Sequence, residues 1–401
     1  MFFLSRDSKI GLITTLLIGG TVLTFAFNFL IQGYYLGRPW PMNSFMEKPQ
    51  YFGNDFTRIY RIVEGRTPYA NLKNHMQEPM PYLPEALIGM LGFTLMPIKM
   101  ALVVFYGVFV AFFFWLNRHF LSVSGRIENM RNLFIFTLMT YPFLYLLDRG
   151  NMEGYAFLFM VGGLMAYFSG KIFWAATLFV LATGIKIYPA LFLLLFLRDR
   201  RYKEFLWSFL SGVTLTFLCG FIFKEDMLTL LQGFLQEVKN TNVFFFTPWH
   251  YRCLSLATFF RMILERIKGV PFDIFHPGSL VLLYNIFSFF MLLVVYVALL
   301  KRKLRRWEEL MLLVGPMLLL PPMSHNYKLL LIFAPLYYFV NEAIPNRWDP
   351  LYCIMFFLLL TPKNYILGVE TVIHISVLIV FCSIILFRAF IPEIKTETKK
   401  K

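Results

Sequence analysis

Apolar runs of roughly 15 to 22 residues recur along the whole chain, separated by short clusters of charge. A helix needs about 20 apolar residues to cross a bilayer. The pattern predicts spans near 10–33, 98–117, 132–147, 152–168, 204–223, 278–300, 308–322, 327–341, 350–361 and 368–388. Residues 83–97 are apolar but short and bounded by prolines, which fits a helix lying in the membrane interface better than a span.

Residues 172–197 pose a problem of length. Lys171 before them and "RDRRYK" after them both look cytoplasmic, yet the stretch is short for two full crossings. The polar break "GIKIYP" at 184–189 divides it, and two short half-helices meeting there would satisfy both flanks. Irregular backbone at membrane depth is tolerated where it lines a cavity. The alternative is one span, with the orientation of everything downstream reversed. Counting the hairpin gives about twelve crossings with both termini inside.

The chain reads as a single integral membrane domain over 1–401, with a first extracytoplasmic loop over 34–97, a second over 224–277 and a basic cytoplasmic tail over 389–401. Arg6 and Lys9 precede "IGLITTLLIGGTVLTFAFNFLI", which is longer than a signal-peptide core and lacks a small-x-small cleavage site. It is expected to be retained as the first span.

Composition agrees: 58% of residues are hydrophobic and only 15% charged, against about 25% charged in soluble domains. The net charge of +15 is spread between the spans rather than gathered on one face. That fits positive-inside loops beside anionic membrane lipid and argues against a nucleic-acid partner. "KRKLRRWEE" is the strongest cytoplasmic mark. The short loops set the orientation, and on it Asp55, Arg149, Lys186 and His325 all lie toward the extracytoplasmic side. Cys219, Cys353 and Cys382 lie in apolar runs and Cys253 in a loop, without disulfide or metal spacing. No HExxH, paired-Cys or GxxxxGK[ST] motif occurs, so no metal or cofactor is expected.

Four stretches carry candidate chemistry. Asp55 is either a helix cap, since it precedes "FTRIYRIV", or a general base beside the membrane. In "LLDRGNMEGY", Arg149 either binds a phosphate oxygen or pairs with Asp148, and the default for the whole segment is a solvated turn. Lys186 has about a dozen apolar or small residues on each side. Snorkelling fits poorly there, and a cation lining a polar cavity fits better. Pro189 would start the next half-helix, whose N–H groups also favour an anion. His325, Asn326, Tyr327 and Lys328 form a polar cluster between two short apolar runs, either structural or suited to phosphate and sugar hydroxyls.

The ordered set "GNDFTRIYRIVEGRTPY", "PYLPEALIGMLGF", "RGNMEGYAFLF", "GIKIYPALFLLLFLRDRR" and "PPMSHNYKLLLIFAPL" resembles glycosyltransferase family 87, over roughly residues 10–340. The resemblance implies an all-α polytopic bundle of the C-type glycosyltransferase fold, with about 10–12 transmembrane helices and interfacial helices in its extracytoplasmic loops. It implies a polyprenyl-phosphate sugar as donor, most often mannose, and a glycolipid or glycan as acceptor. Asp55 then matches the family's catalytic aspartate, Lys186 the lysine of a K-hydrophobic-Y-P signature, and His325 a late histidine. Lys186, His325 and Arg149 would hold the donor phosphate, and Tyr82, Asn151, Tyr188, Asn326, Tyr327 and Lys328 would touch substrate. "PYLPE" matches the family's YPP stretch only loosely, and "RGNMEG" departs from the usual pattern, which leaves the roles of Arg149 and Glu153 open. Asp55 would deprotonate the acceptor while the phosphate leaves from the other face, with inversion. Such an enzyme would sit in a cell membrane, a bacterial inner membrane by this resemblance, with its site facing out.

The competing function is a transporter or flippase for a lipid or anionic solute, which would use the same buried cations. It predicts matched broken segments, and the sequence shows one clear break, at 184–189. A structural assembly protein gives no reason for Lys186.

Overall fold

The computed structural model describes residues 4–37, 52–65, 82–223, 228–229, 231–236, 254–260, 277–301, 304–321, 324–362 and 370–390. Most of the second long loop and nearly all of the basic tail lie outside these residues, as does Cys253. Among the described residues the molecule is all-helical, with no strand.

Among the described residues four helices are long and apolar enough to cross a bilayer alone. They are α1 (Arg6–Ala26, continued as a π-helix over Phe27–Tyr35), α4 (Ile98–Leu121), α11 (Pro277–Leu300) and α15 (Glu370–Phe390). A fifth span is a bent pair, α5 (Arg126–Leu138) and α6 (Tyr141–Arg149), which meet at 46°. Pro142 near the start of α6 explains the bend, because its ring cannot sit inside a continuous helix. These four or five full-length candidates among the described residues agree with the expected all-α polytopic bundle. Among the described residues six shorter apolar stretches are 10–17 residues long, and at 1.5 Å per residue a helix of that length covers roughly half to four-fifths of a 30 Å hydrocarbon core.

Short helices are used in pairs that turn back within the bundle. α8 (Ile172–Ile185) stops at Lys186, whose backbone is extended. Continuing the helix would need an N–H at Pro189, which has none. The chain resumes as a 3-10 turn, Tyr188–Leu193, leading into α9 (Leu194–Arg198). Phe179 and Phe192 stack with ring centroids 5.5 Å apart, so the second limb runs back along the first. This is the hairpin that the flanking charges call for. A second break repeats the pattern. α12 (Arg306–Leu319) ends ahead of Pro321, a 3-10 segment covers Asn326–Ile332, and α13 (Phe333–Val340) returns to bring Phe339 within 5.1 Å of Trp307. The sequence shows the interruption between 322 and 327 but not the 3-10 form that follows it, because "MSHNYK" carries no internal helix breaker of its own.

α12 is buried from Trp307 to Leu319, so it is the centre of the bundle rather than an outer helix. Outward-facing Phe112 and Trp115 on α4, with Phe289 and Phe290 on α11, leave large apolar side chains exposed, the surface a lipid-bathed helix presents.

Ion pairs fasten the end where α1 begins. Lys9 and Asp349 pair at 3.1 Å with side chains 1% and 0% exposed, joining α1 to α14 (Asp349–Leu360). Arg198 pairs with Glu309 at 2.5 Å, and Arg388 pairs with Glu308. The tips of the hairpins lie at the other end, and there the remaining polar groups collect.

Candidate functional site

The site is assembled by two glycines. Gly53 caps α2 (Asn54–Glu64) with φ of 66°, and Gly150 caps the end of α6 with φ of 65°, left-handed conformations that suit residues without a Cβ. Their backbones touch: a Cβ built on Gly150 would lie 3.1 Å from the Gly53 Cα. The Gly53 N–H donates to the Asp148 carbonyl at 2.8 Å, and the Tyr106 hydroxyl donates to the Leu147 carbonyl at 2.5 Å. α2 is amphipathic, burying Phe56, Ile59, Tyr60 and Val63 at helical spacing. That buried face fixes its rotation and turns Asp55 toward the 149–153 turn.

Asp55 is not the helix cap, since Gly53 holds that position. Its Oδ1 accepts from Arg149 Nη2 at 2.6 Å and its Oδ2 from Asn151 Nδ2 at 2.6 Å. The side chains of Asp55 and Arg149 are 14% and 20% exposed. An ion-pair partner of Arg149 is thus a residue 94 positions away. Asn151 is held in turn, because its Oδ1 accepts from the Glu153 N–H at 2.9 Å. Both ends of its amide are engaged, with Asp55 on one side and α7 (Glu153–Phe168) on the other.

Lys186 lies at the tip of the first hairpin with its Nζ 3.9 Å from the centroid of the Tyr82 ring. Tyr82 lies just ahead of α3 (Pro84–Leu91), a short apolar helix in the stretch expected to lie in the interface. Burial is the main influence on the Tyr82 phenol and pushes its pKa up; Lys186 opposes this, and the charges of Asp55 and Glu153 add to it. Tyr82 is therefore a neutral hydroxyl. Lys186 is in electrostatic contact with Asp55 and Glu153 as well as Tyr82.

The second hairpin tip supplies the rest. Lys328 Nζ lies 4.8 Å from the Tyr188 ring centroid, so the two tips meet. Tyr327 stacks on Tyr145 at 6.1 Å and faces His325 at 5.5 Å, and it interacts with Asp55, Tyr82, Glu153 and Arg149. Asn326 turns away from this group and donates to the Tyr141 hydroxyl at 2.9 Å. The ten residues singled out from the sequence thus come from three tips and the first loop, and nine of them form one charged and aromatic cluster. Asn326 supports it from behind.

Two features stand outside those ten residues. One is Glu153, whose role the sequence left open; it is fully buried in the first turn of α7, under the influence of Lys328 and Lys186. Its signal was an acid opening an otherwise apolar helix. The other is an apolar cavity of about 310 Å³ between α3, α4, α7, α8 and α10 (Tyr202–Gly220). Met90, Phe93, Phe105 and Phe159 line it, together with Met152 and Ile185, the residues that immediately precede Glu153 and Lys186. Glu85, on its wall, accepts a hydrogen bond from the Thr216 hydroxyl. Among the described residues no three His, Cys, Asp or Glu side chains gather as a metal site.

No curated protein matches the chain. A family model described as glycosyltransferase family 87 matches residues 81–322, more than half of the sequence.

Proposed function

The chain belongs to glycosyltransferase family 87, and from that premise we propose that it transfers a hexose, most readily mannose, from a polyprenyl-phosphate donor to a lipid or glycan acceptor, with inversion. That it is a glycosyltransferase, and a multi-pass membrane protein, follows from the family and from its helices of spanning length. The observation that carries the finer reading is one carboxylate, Asp55, fixed by Arg149 and Asn151, in a cluster that also holds the cation Lys186 over Tyr82, beside an apolar cavity.

Each part has a task in that reaction. The prenyl chain occupies apolar space beside α3, with the cavity as its inner end. The donor phosphate sits against Lys186, with His325 and Arg149 adding positive or hydrogen-bonding character as charge develops on the leaving oxygens. Asp55 takes the proton of the acceptor hydroxyl as that oxygen bonds to C1 and the C1–phosphate bond breaks on the opposite face. Arg149 and Asn151 hold the carboxylate in place, so little reorientation is needed when substrate arrives. The leaving phosphate needs no proton, so one base suffices, unlike the two carboxylates of a glycosidase. Tyr82, Tyr188, Tyr327 and Lys328 line the space for the sugar.

The distribution of charge supports a side of the membrane. The short basic stretches around Arg118, Arg126, Lys171 and Arg198–Lys203 lie at the end opposite the site. Basic short loops stay in the cytoplasm, which supports a site on the outer face of a cell membrane, a bacterial inner membrane on this reading.

The test is direct. Purified protein is incubated with a panel of polyprenyl-phosphate sugars and an acceptor extract, and release of polyprenyl phosphate is measured. Release with one sugar, dependent on acceptor, is expected. A protein that moves the intact donor across vesicles without releasing polyprenyl phosphate is a flippase, and the reading fails.

A further inference from the structure

Glu153 is 0% exposed, and neither Oε1 nor Oε2 has a hydrogen-bond partner among the described residues. Burying an ionised carboxylate costs several kcal/mol unless a partner compensates. The other buried acids show how this chain meets that cost: Asp349 pairs with Lys9, Glu309 with Arg198 and Glu308 with Arg388. Glu153 is treated differently. Lys186 and Lys328 act on it through space, while their ammonium groups lie over the rings of Tyr82 and Tyr188. Its backbone is tied closely to the reaction centre, since the Glu153 N–H holds Asn151 and Asn151 holds Asp55.

We propose that the Glu153 carboxylate accepts hydrogen bonds from a pair of hydroxyl groups on the transferred sugar and so fixes the rotation of the ring against Asp55 and Lys186. The inference rests on the donor reading given above. A carboxylate is purely an acceptor and can take two donors at once. Neighbouring hydroxyls on a sugar ring supply such a pair, whereas a phosphodiester supplies none. The two lysines bring positive charge toward the carboxylate without occupying its oxygens, and the same lysines face the phosphate once donor is bound. Glu153 therefore discriminates among sugars, while Lys186 recognises the part common to all donors.

The experiment uses the full-length purified protein in nanodiscs with farnesyl-phosphate mannose, its monodeoxy analogues and sugar-free farnesyl phosphate. Glu153→Gln keeps the shape and loses the paired acceptor. It is expected to lower kcat/KM for the intact donor by about 10- to 100-fold, the worth of one charge-assisted hydrogen bond. The inhibition constant of farnesyl phosphate should stay within about threefold, a change too small for a lost charged contact. At least one deoxy donor should be poor for the native protein and no poorer for the variant. Glu153→Asp, which keeps the charge but withdraws the carboxylate by one methylene, should show the same hydroxyl-selective loss if the Gln variant fails to fold. Equal losses for farnesyl phosphate and the sugar donor, or deoxy penalties unchanged in the variants, overturn the assignment while leaving the donor reading intact. A native protein inactive with every polyprenyl-phosphate sugar overturns both.

Discussion

Gly150 packs directly on Gly53, two left-handed residues whose close approach docks the first loop helix onto the turn that carries Arg149 and Asn151. Gly150→Ala should therefore damage the site twice. A Cβ in the left-handed region costs about 1–2 kcal/mol. Here it would also lie 3.0 Å from both Tyr106 Oη and Phe56 Cβ. Gly170 is the control, with φ of 76° and nothing within 4 Å of a built Cβ. Gly170→Ala should lower thermal stability by the backbone cost alone and leave turnover unchanged. Gly150→Ala should lower stability further and cut turnover at least tenfold, because Asp55 no longer meets its two donors. Equal effects of the two substitutions on turnover would show that the glycine contact does not position the carboxylate.

Removing the base should separate chemistry from folding. Asp55→Asn keeps the side chain's size and one carbonyl acceptor but cannot take a proton. Transfer should fall by about 10²- to 10⁴-fold, the usual contribution of general base catalysis. Membrane insertion and yield should not change. Asn151→Ala leaves the carboxylate in place but frees one of its oxygens and the Glu153 N–H, so a smaller loss is expected, about tenfold for one lost charge-assisted hydrogen bond. Near-normal transfer by purified Asp55→Asn removes the assignment.

Much of this was legible in the sequence, and the reasons differ by element. The break at Lys186 was readable because three signals coincide there: a lysine in an apolar run, Pro189 just after it, and cationic flanks on the same side. At the second tip the interruption between 322 and 327 was readable but the 3-10 form of Asn326–Ile332 was not, because "NYKLLLI" has the composition of a helix. Which apolar helices face lipid was not legible for a related reason. An apolar run shows that a segment avoids water but not whether it meets lipid or the inside of a bundle, and α12 is buried from Trp307 to Leu319. The partner of Arg149 was out of reach, since nothing local links it to a residue 94 positions away. Glu153 was visible as an oddity, but its lack of hydrogen-bonded partners is a property of the packed structure alone.

Lys186 should matter for the donor more than for the acceptor. Lys186→Ala removes the cation nearest Tyr82 and leaves Glu153 with Lys328 as its remaining positive neighbour. KM for the donor should rise by about 10- to 100-fold, the range for hydrogen bonds to charged groups. KM for the acceptor should change little. Lys186→Arg should recover only part of the loss, because the planar guanidinium does not replace a compact point charge above a tyrosine ring. Wild-type binding of polyprenyl phosphate by Lys186→Ala would mean that the phosphate lies elsewhere.

The Lys9–Asp349 pair offers a test of stability far from the chemistry. Both side chains are essentially inaccessible, Lys9 Nζ also donates to the Phe339 carbonyl at 3.4 Å, and Asp349 Oδ2 accepts from the Asn346 N–H at 3.0 Å. Lys9→Met leaves a buried carboxylate without its cation, a change that costs about 3–5 kcal/mol when one partner of a buried pair is removed. The double variant Lys9→Met, Asp349→Leu removes both charges and should regain most of that loss, since a buried ion pair is often no more stabilising than apolar residues of similar volume. Thermal unfolding in detergent would read both effects. Because the pair lies at the end of the bundle opposite Asp55, the protein that remains folded should keep its native kcat in either variant. A double variant no more stable than Lys9→Met would mean that α1 is held to α14 by the remaining hydrogen bonds of the lysine rather than by its charge.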